Sequence, residues 1–89
     1  MTAFLVTYDL RQRAKDYAPL YEAIKRGRTW WHYLDSCWIL VTDETANDIW
    51  KAVASHIDRS DILLIIEVRD NAQGWLPKAA WEWIHEHIP

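Results

Sequence analysis

The chain has 89 residues, of which 51% are hydrophobic, and this length fits one small domain. A net charge of −3 argues against indiscriminate nucleic-acid binding, and no apolar run approaches the ~18 residues that would span a membrane. With only two glycines, three prolines and no low-complexity tract, the composition also excludes a largely disordered chain.

Two residue types bear on location and assembly. The only cysteine, Cys37, cannot form an internal disulfide, so a reducing and therefore cytoplasmic location is expected. The seven tryptophans each carry roughly 200 Å² of surface, which is more than one small core readily hides. Some of them are therefore expected at a subunit interface or at a ligand surface.

The first predicted strand covers about residues 3–9 and ends at Asp9. Its near-continuous apolar sequence predicts a strand that is buried on both faces of a sheet. A basic stretch with Arg11, Arg13 and Lys15 follows. A lone carboxylate beside a basic loop is suited to binding a divalent cation and a phosphate. The alternative is an aspartate that caps the following loop through its own backbone.

Positive charge is concentrated near this strand end. Residues 9–31 include six basic and three acidic residues, whereas the rest of the chain has four basic and ten acidic residues. A basic patch beside Asp9 could hold a phosphate backbone. The alternative is a solvated helix face with pairs such as Glu22 and Arg26, which are one helical turn apart.

Helices are predicted on either side of a central hairpin. Asp16 is expected to cap the first helix, and Gly27 is a natural C-terminal stop. Thr45 is the expected N-cap of the second helix. Asp48 stands at the third helical position, which completes an approximate capping box.

The hairpin consists of predicted strands at about residues 29–34 and 37–42, with a tight turn between them. Alternation along the first strand places Trp30, His32 and Leu34 on one face, with Trp31 and Tyr33 on the other. Because both faces of the hairpin are apolar, both should be covered. Helices can cover one face, and a second subunit is expected to cover the other.

A fourth strand at about residues 62–68 and a C-terminal helix over about 77–87 complete the pattern. Trp81 and Ile84 share an apolar stripe of that helix and are expected to pack on the sheet or on a partner subunit. The element order is that of the ferredoxin-like βαββαβ arrangement. We therefore predict one α+β domain over residues 1–89, with an antiparallel four-stranded sheet and an extra C-terminal helix.

Three segments carry a resemblance to known proteins. The segment FLVTYDL, a helix that ends in Gly27, and the hairpin WWHYLDSCWILV resemble the CRISPR-associated protein two family and its toxin relative, virulence-associated protein D. Ser36 and Trp38 match a serine and an aromatic residue of that hairpin. The chain also resembles small uncharacterised bacterial proteins that share WWHYLDS and WLPK-x-AWEW. The resemblance covers about residues 3–70.

The resemblance implies a homodimer of ferredoxin-like domains with back-to-back sheets. The aspartate that ends strand one then meets its symmetry mate, and in some relatives the pair holds Mg²⁺ or Mn²⁺, which activates water against a phosphodiester. Asp9 inherits the catalytic and metal-binding role, and Tyr8 inherits a neighbouring, substrate-binding position. Arg11 or Arg13 can clamp the phosphate.

Two functions remain open at this point. The first is a small homodimeric, metal-dependent endoribonuclease of toxin or defence type. The second is a catalytically inert dimeric scaffold or binding module for nucleic acid or protein, because in other relatives the dimer is a scaffold that grips DNA. Both functions imply a cytoplasmic protein that does not associate with a membrane.

Overall fold

The computed structural model of the protein describes all residues from 1 to 89. It is an α+β structure with one four-stranded antiparallel sheet and three α-helices. The strands lie in the order β2-β3-β1-β4, so β1 and β3 are central and β2 and β4 are the edges. The elements in chain order are β1 (Thr2–Asp9), α1 (Ala18–Lys25), β2 (Thr29–Leu34), β3 (Cys37–Thr42), α2 (Ala46–Val53), a short 3₁₀ helix (Ala54–His56), β4 (Ile62–Val68) and α3 (Lys78–His87).

Local sequence signals account for the ends of the helices. The carboxylate of Asp16 accepts a hydrogen bond from the Ala18 N–H at 3.0 Å, although Asp16 lies one residue before the N-cap position. Gly27 follows α1 with φ of +71°, a conformation that residues with a Cβ rarely adopt. The predicted capping box of α2 is confirmed. The Asp48 N–H donates to Thr45 Oγ1 at 3.1 Å, and the Thr45 N–H donates to the Asp48 carboxylate at 2.9 Å.

The first face of the sheet, which α1 and α2 cover, carries the larger core. Alternate residues of the central strands point toward these two helices, whose apolar stripes pack over them. The core on this face consists of Phe4, Val6, Leu20, Ala23, Ile24, Trp38, Leu40, Ile49 and Val53.

The second face of the sheet is partly covered by α3. The residues that pack together there are Ala3, Trp31, Ile39, Val41, Ala80, Ile84 and Ile88, with Trp81 at their margin. The indole N–H of Trp31 donates to the carbonyl of Ala80 at 3.2 Å, so its one polar atom is satisfied inside this cluster. The expected packing of Trp81 and Ile84 on the sheet is therefore confirmed. The sheet face that a second subunit was expected to cover is thus partly covered by α3 of the same chain.

The β1–β4 side of the second face stays open. Ile62, Leu64 and Ile66 of β4 are 56%, 52% and 46% exposed. Their cross-strand partners in β1 are Asp9, Thr7 and Leu5, respectively, and such partners point to the same side of a sheet. We call Thr7, Asp9, Ile62, Leu64 and Ile66 the open patch.

Strand β2 departs from strict alternation. Trp31 pairs with Ile39, whereas Leu34 pairs with Cys37, so the register shifts by one residue between them. The extra residue in β2 acts as a bulge. It places Leu34 on the second face with Cys37, so the predicted grouping of Leu34 with His32 is wrong for this reason.

One basic residue of the segment 9–31 is used inside the fold. The side chain of Arg28 is only 5% exposed, and its Nε and Nη2 donate to the two carboxylate oxygens of Glu44 at 2.6 and 3.0 Å. Its Nη1 donates to the carbonyls of Ala23 and Ile24 at 2.7 and 3.1 Å. Arg28 therefore clamps the C-terminal turn of α1 to the loop that precedes α2.

Candidate functional site

Asp9 ends β1 with its carboxylate held from one side. The side chain is 64% exposed, and Arg11 donates to its Oδ2 from Nε at 3.2 Å and from Nη2 at 3.0 Å. Both hydrogen bonds end on the same oxygen, so Oδ1 is free of hydrogen bonds. Arg11 thereby orients the carboxylate and leaves one oxygen available as a ligand.

Asp9 lines a shallow groove at the end of the sheet. Thr7 and Tyr8 of β1 join it on one side, and Ile62, Leu63 and Leu64 of β4 form the other side of this space of about 310 Å³. The groove overlaps the open patch, because Thr7, Asp9, Ile62 and Leu64 belong to both. The surroundings of the carboxylate are thus mainly apolar, apart from Arg11.

The loop after Asp9 is fixed by a residue that the sequence did not single out. Asp61, which is 9% exposed, accepts hydrogen bonds from the Arg11 N–H at 2.7 Å and from the Asp58 N–H at 2.8 Å. The Tyr17 hydroxyl lies 2.8 Å from both of its carboxylate oxygens. Burial by itself raises the pKa of Asp61, but these donors outweigh it and bring the pKa below its usual value.

Asp61 is therefore the residue that anchors this loop, and no backbone N–H donates to the carboxylate of Asp9. Two features of the sequence could have drawn attention to Asp61. It stands directly before the apolar run of β4, and it follows Asp58 by three residues. Neither feature reveals its partners, because Arg11 and Tyr17 are more than forty residues away along the chain.

Tyr8 points to the first face, away from Asp9, because successive strand residues alternate. Its hydroxyl accepts a hydrogen bond from Trp38 Nε1 at 2.9 Å and donates one to the carbonyl of Asp35 at 3.3 Å. Burial raises the pKa of this hydroxyl. His32 stacks on Trp38 with ring centroids 3.6 Å apart, and its Nε2 lies 3.1 Å from the same carbonyl of Asp35. Tyr8 therefore holds the β2–β3 turn on the first face, whereas its sequence neighbours Thr7 and Asp9 belong to the open patch on the second face.

The basic residues near Asp9 are partly neutralised within the chain. Arg11 pairs with Asp9, Arg28 with Glu44, and Lys25 with Glu22 at 3.4 Å. Arg13 is exposed in the loop after β1 and forms no ion pair. Of the two predicted phosphate-binding arginines, Arg11 is engaged with Asp9 and Arg13 is free.

No group of three or more His, Cys, Asp or Glu side chains lies close enough together to hold a metal ion. No helix is both long enough and apolar enough to cross a membrane. No known protein family matches the chain, and neither a characterised protein nor a solved structure is significantly similar to it.

Proposed function

We propose that the protein is a homodimeric, metal-dependent endoribonuclease in which two Asp9 carboxylates share one divalent cation. The observation that carries this proposal is the free Oδ1 of Asp9, held in place by Arg11 at the edge of an exposed apolar groove. Hard cations such as Mg²⁺ and Mn²⁺ prefer carboxylate oxygens and water as ligands. The half-exposed Ile62 and Leu64 beside Asp9 are a surface that a second copy can bury.

Each residue of the site has a separate task in this proposal. Mg²⁺ or Mn²⁺, when bound, lowers the pKa of a coordinated water and neutralises charge that develops on the phosphate. Asp9 supplies one oxygen ligand from each copy, and Arg11 orients it in the way that outer-shell partners orient metal ligands. Arg13 contacts the phosphate, because its guanidinium has no partner within the chain. Tyr8 acts on substrate binding only indirectly, because it borders the groove while its side chain holds the β2–β3 turn on the other face of the sheet.

We also propose a ferredoxin-like fold and kinship with the CRISPR-associated protein two family. The alternation of strands and helices up to β4, and the central position of β1 and β3, support this assignment. Asp9 is the last residue of β1, which also supports the assignment. A cytoplasmic location is part of the proposal and rests on the single cysteine, Cys37.

The decisive experiment compares RNA cleavage by the wild type and by Asp9→Asn. The amide keeps the shape of the side chain but removes the charge that a hard cation needs, so we expect cleavage to fall by at least about 100-fold. Asp43→Asn is the matched control, because Asp43 is exposed and pairs only with the N-terminus at 3.6 Å. Chelation of Mg²⁺ and Mn²⁺ should also stop cleavage. Equal activity of the wild type and Asp9→Asn would overturn the assignment.

A second measurement does not depend on turnover. A titration with Mn²⁺ followed by electron paramagnetic resonance should give one tightly bound ion for every two chains, because each copy supplies one carboxylate. Asp9→Asn should lose this binding, whereas Asp43→Asn should keep it. Tight binding of one ion per chain would contradict the shared site.

The alternative function, an inert dimeric scaffold or binding module for nucleic acid or protein, is favoured by one observation. Arg11 already lies 3.0 Å from the carboxylate of Asp9, so the charge is balanced without a cation. In that case neither the wild type nor Asp9→Asn cleaves RNA. If the scaffold binds RNA or DNA, Arg13→Ala should weaken that binding and reduce its dependence on salt.

A further inference from the structure

A second groove lies on the second face of the sheet, between α3 and the segment that follows β4. The sheet forms its floor, α3 forms one wall, and residues 69–72 form the other wall. Its volume of about 440 Å³ is in the range of sites that bind small molecules. The apolar residues that line it are Leu5, Ile39, Val68, Ala72, Ile84 and Ile88. We call this space the α3 groove.

Arg69 and Asn71 are the polar residues that line the α3 groove, and both are exposed. The Asn71 N–H donates to the carbonyl of Arg69 at 2.9 Å, so the backbone turns tightly between them. The guanidinium of Arg69 forms no ion pair within the chain. An apolar space is thus lined by one positive charge that has no partner, with a side-chain amide beside it.

The acidic residues near Arg69 in the sequence do not cancel this charge. The carboxylate of Asp70 is hydrogen-bonded to His85 of α3 at 3.1 Å. Glu67 is the cross-strand partner of Phe4, which belongs to the core of the first face, so Glu67 points away from the α3 groove. The contact of Asp70 with His85 also ties the segment to α3, so both walls of the groove are held in place.

We propose that the α3 groove binds a small monocarboxylic acid with an unbranched apolar chain, of the medium-chain fatty acid type. The planar guanidinium of Arg69 matches a carboxylate in shape, and one negative charge balances it. At about 30 Å³ for each group of the size of a water molecule, the groove has room for up to about fifteen heavy atoms, so octanoate fits. The inference goes beyond the proposed function. The groove lies near Ala3 and Val68, which pair, and Asp9 is about 20 Å further along β1.

The test is a titration of the full chain with octanoate, followed by NMR of the isoleucine methyl groups. Those of Ile39, Ile84 and Ile88 report on the α3 groove, and that of Ile62 reports on the open patch. We expect saturable shifts in the groove with a dissociation constant below about 1 mM, and little change at Ile62. Larger shifts at Ile62 than in the groove, or no saturation by about 10 mM octanoate, would overturn the inference.

Two variants and a second probe test the chemistry of the site. Arg69→Gln removes the charge, and Ala72→Phe fills the groove without removing a core side chain, because Ala72 is exposed. Each should raise the dissociation constant of octanoate at least about tenfold, as expected when a hydrogen bond to a charged group is lost or the space is blocked. Arg26→Gln is the matched control, because Arg26 is an exposed arginine outside the groove, and it should change binding less than about twofold. Unchanged binding by Arg69→Gln, or equal affinity of the wild type for octanol and octanoate, would contradict the proposal.

Further measurements distinguish other occupants of the groove and separate the inference from the proposed function. Tighter binding of an acetylated tripeptide with a free C-terminal leucine than of octanoate would assign the groove to the C-terminus of a protein and overturn the proposal. Self-association that Ala72→Phe weakens would assign it to a second copy of the chain and also overturn the proposal. Asp9→Asn should leave octanoate binding unchanged, so binding without RNA cleavage supports the α3 groove and removes only the nuclease.

Discussion

Substitution of Arg28 by alanine tests the clamp between α1 and the loop before α2. The substitution removes both hydrogen bonds to Glu44 and leaves two terminal carbonyls of α1 without their donor. Loss of one partner of a buried ion pair costs about 3–5 kcal/mol. The lower end, about 3 kcal/mol, applies here because the Glu44 side chain is 35% exposed and regains water. In a domain of this size the melting temperature should fall by about 12–24 °C.

Urea and thermal unfolding, followed by circular dichroism, measure this loss. Arg28→Lys keeps the charge, but one ammonium cannot serve Glu44 and two carbonyls together, so we expect an intermediate loss of about 1–2 kcal/mol. Arg26→Ala is the control, because Arg26 is an exposed arginine that forms no ion pair, and it should change stability by less than about 0.5 kcal/mol. An Arg28→Ala variant as stable as Arg26→Ala refutes the reasoning.

The same clamp predicts a dependence of stability on pH. The hydrogen bonds from Arg28 hold the pKa of Glu44 below its usual value of 4.5. A carboxylate with a lowered folded-state pKa contributes stability above its unfolded pKa and loses that contribution as the pH falls through the folded value. The wild type should therefore lose stability below about pH 4.5, and Arg28→Ala should lose less over that range.

Two further predictions concern the elements around the candidate site. Ile84→Ala should cost about 2–4 kcal/mol in urea unfolding, because Ile84 is 4% exposed on the side of α3 that packs against the sheet, and a loss under about 1 kcal/mol would show that α3 is only loosely attached. Asp61→Asn should accelerate hydrogen exchange at the N–H groups of Arg11 and Asp58, because the amide is a weaker acceptor than the carboxylate. Unchanged exchange at both groups would show that the loop is held by other contacts.

The parts of the fold that depend on local signals were predictable from the sequence. The capping box of Thr45 and Asp48 and the stop at Gly27 each involve residues within one turn of a helix, so their geometry follows from their spacing. The apolar stripe of α3 likewise predicted that Ile84 and Trp81 pack on the sheet. Spacing alone did not specify which side of the second face α3 covers.

The parts that depend on distant partners were not predictable. From the sequence, Arg28 was treated as a surface charge. Its burial is favourable only because Glu44 and the carbonyls that end α1 meet at one point in the fold. The role of Asp61 was not predictable for the same reason, since two of its three donors, Arg11 and Tyr17, come from the loop after β1. The alternation of residue types in β2 does not reveal the bulge, so Leu34 was assigned to the wrong face of the sheet.

The edge position of β4 has a consequence for how the protein is produced. Residues 62–66 are five consecutive apolar residues without a charge, on a strand whose outer backbone groups have no partner in the sheet. Such an edge can pair with the edge of another unfinished chain. Refolding yield should therefore fall as protein concentration rises. A lysine in place of Leu64 should raise the soluble yield, because a charge on an exposed edge blocks such pairing.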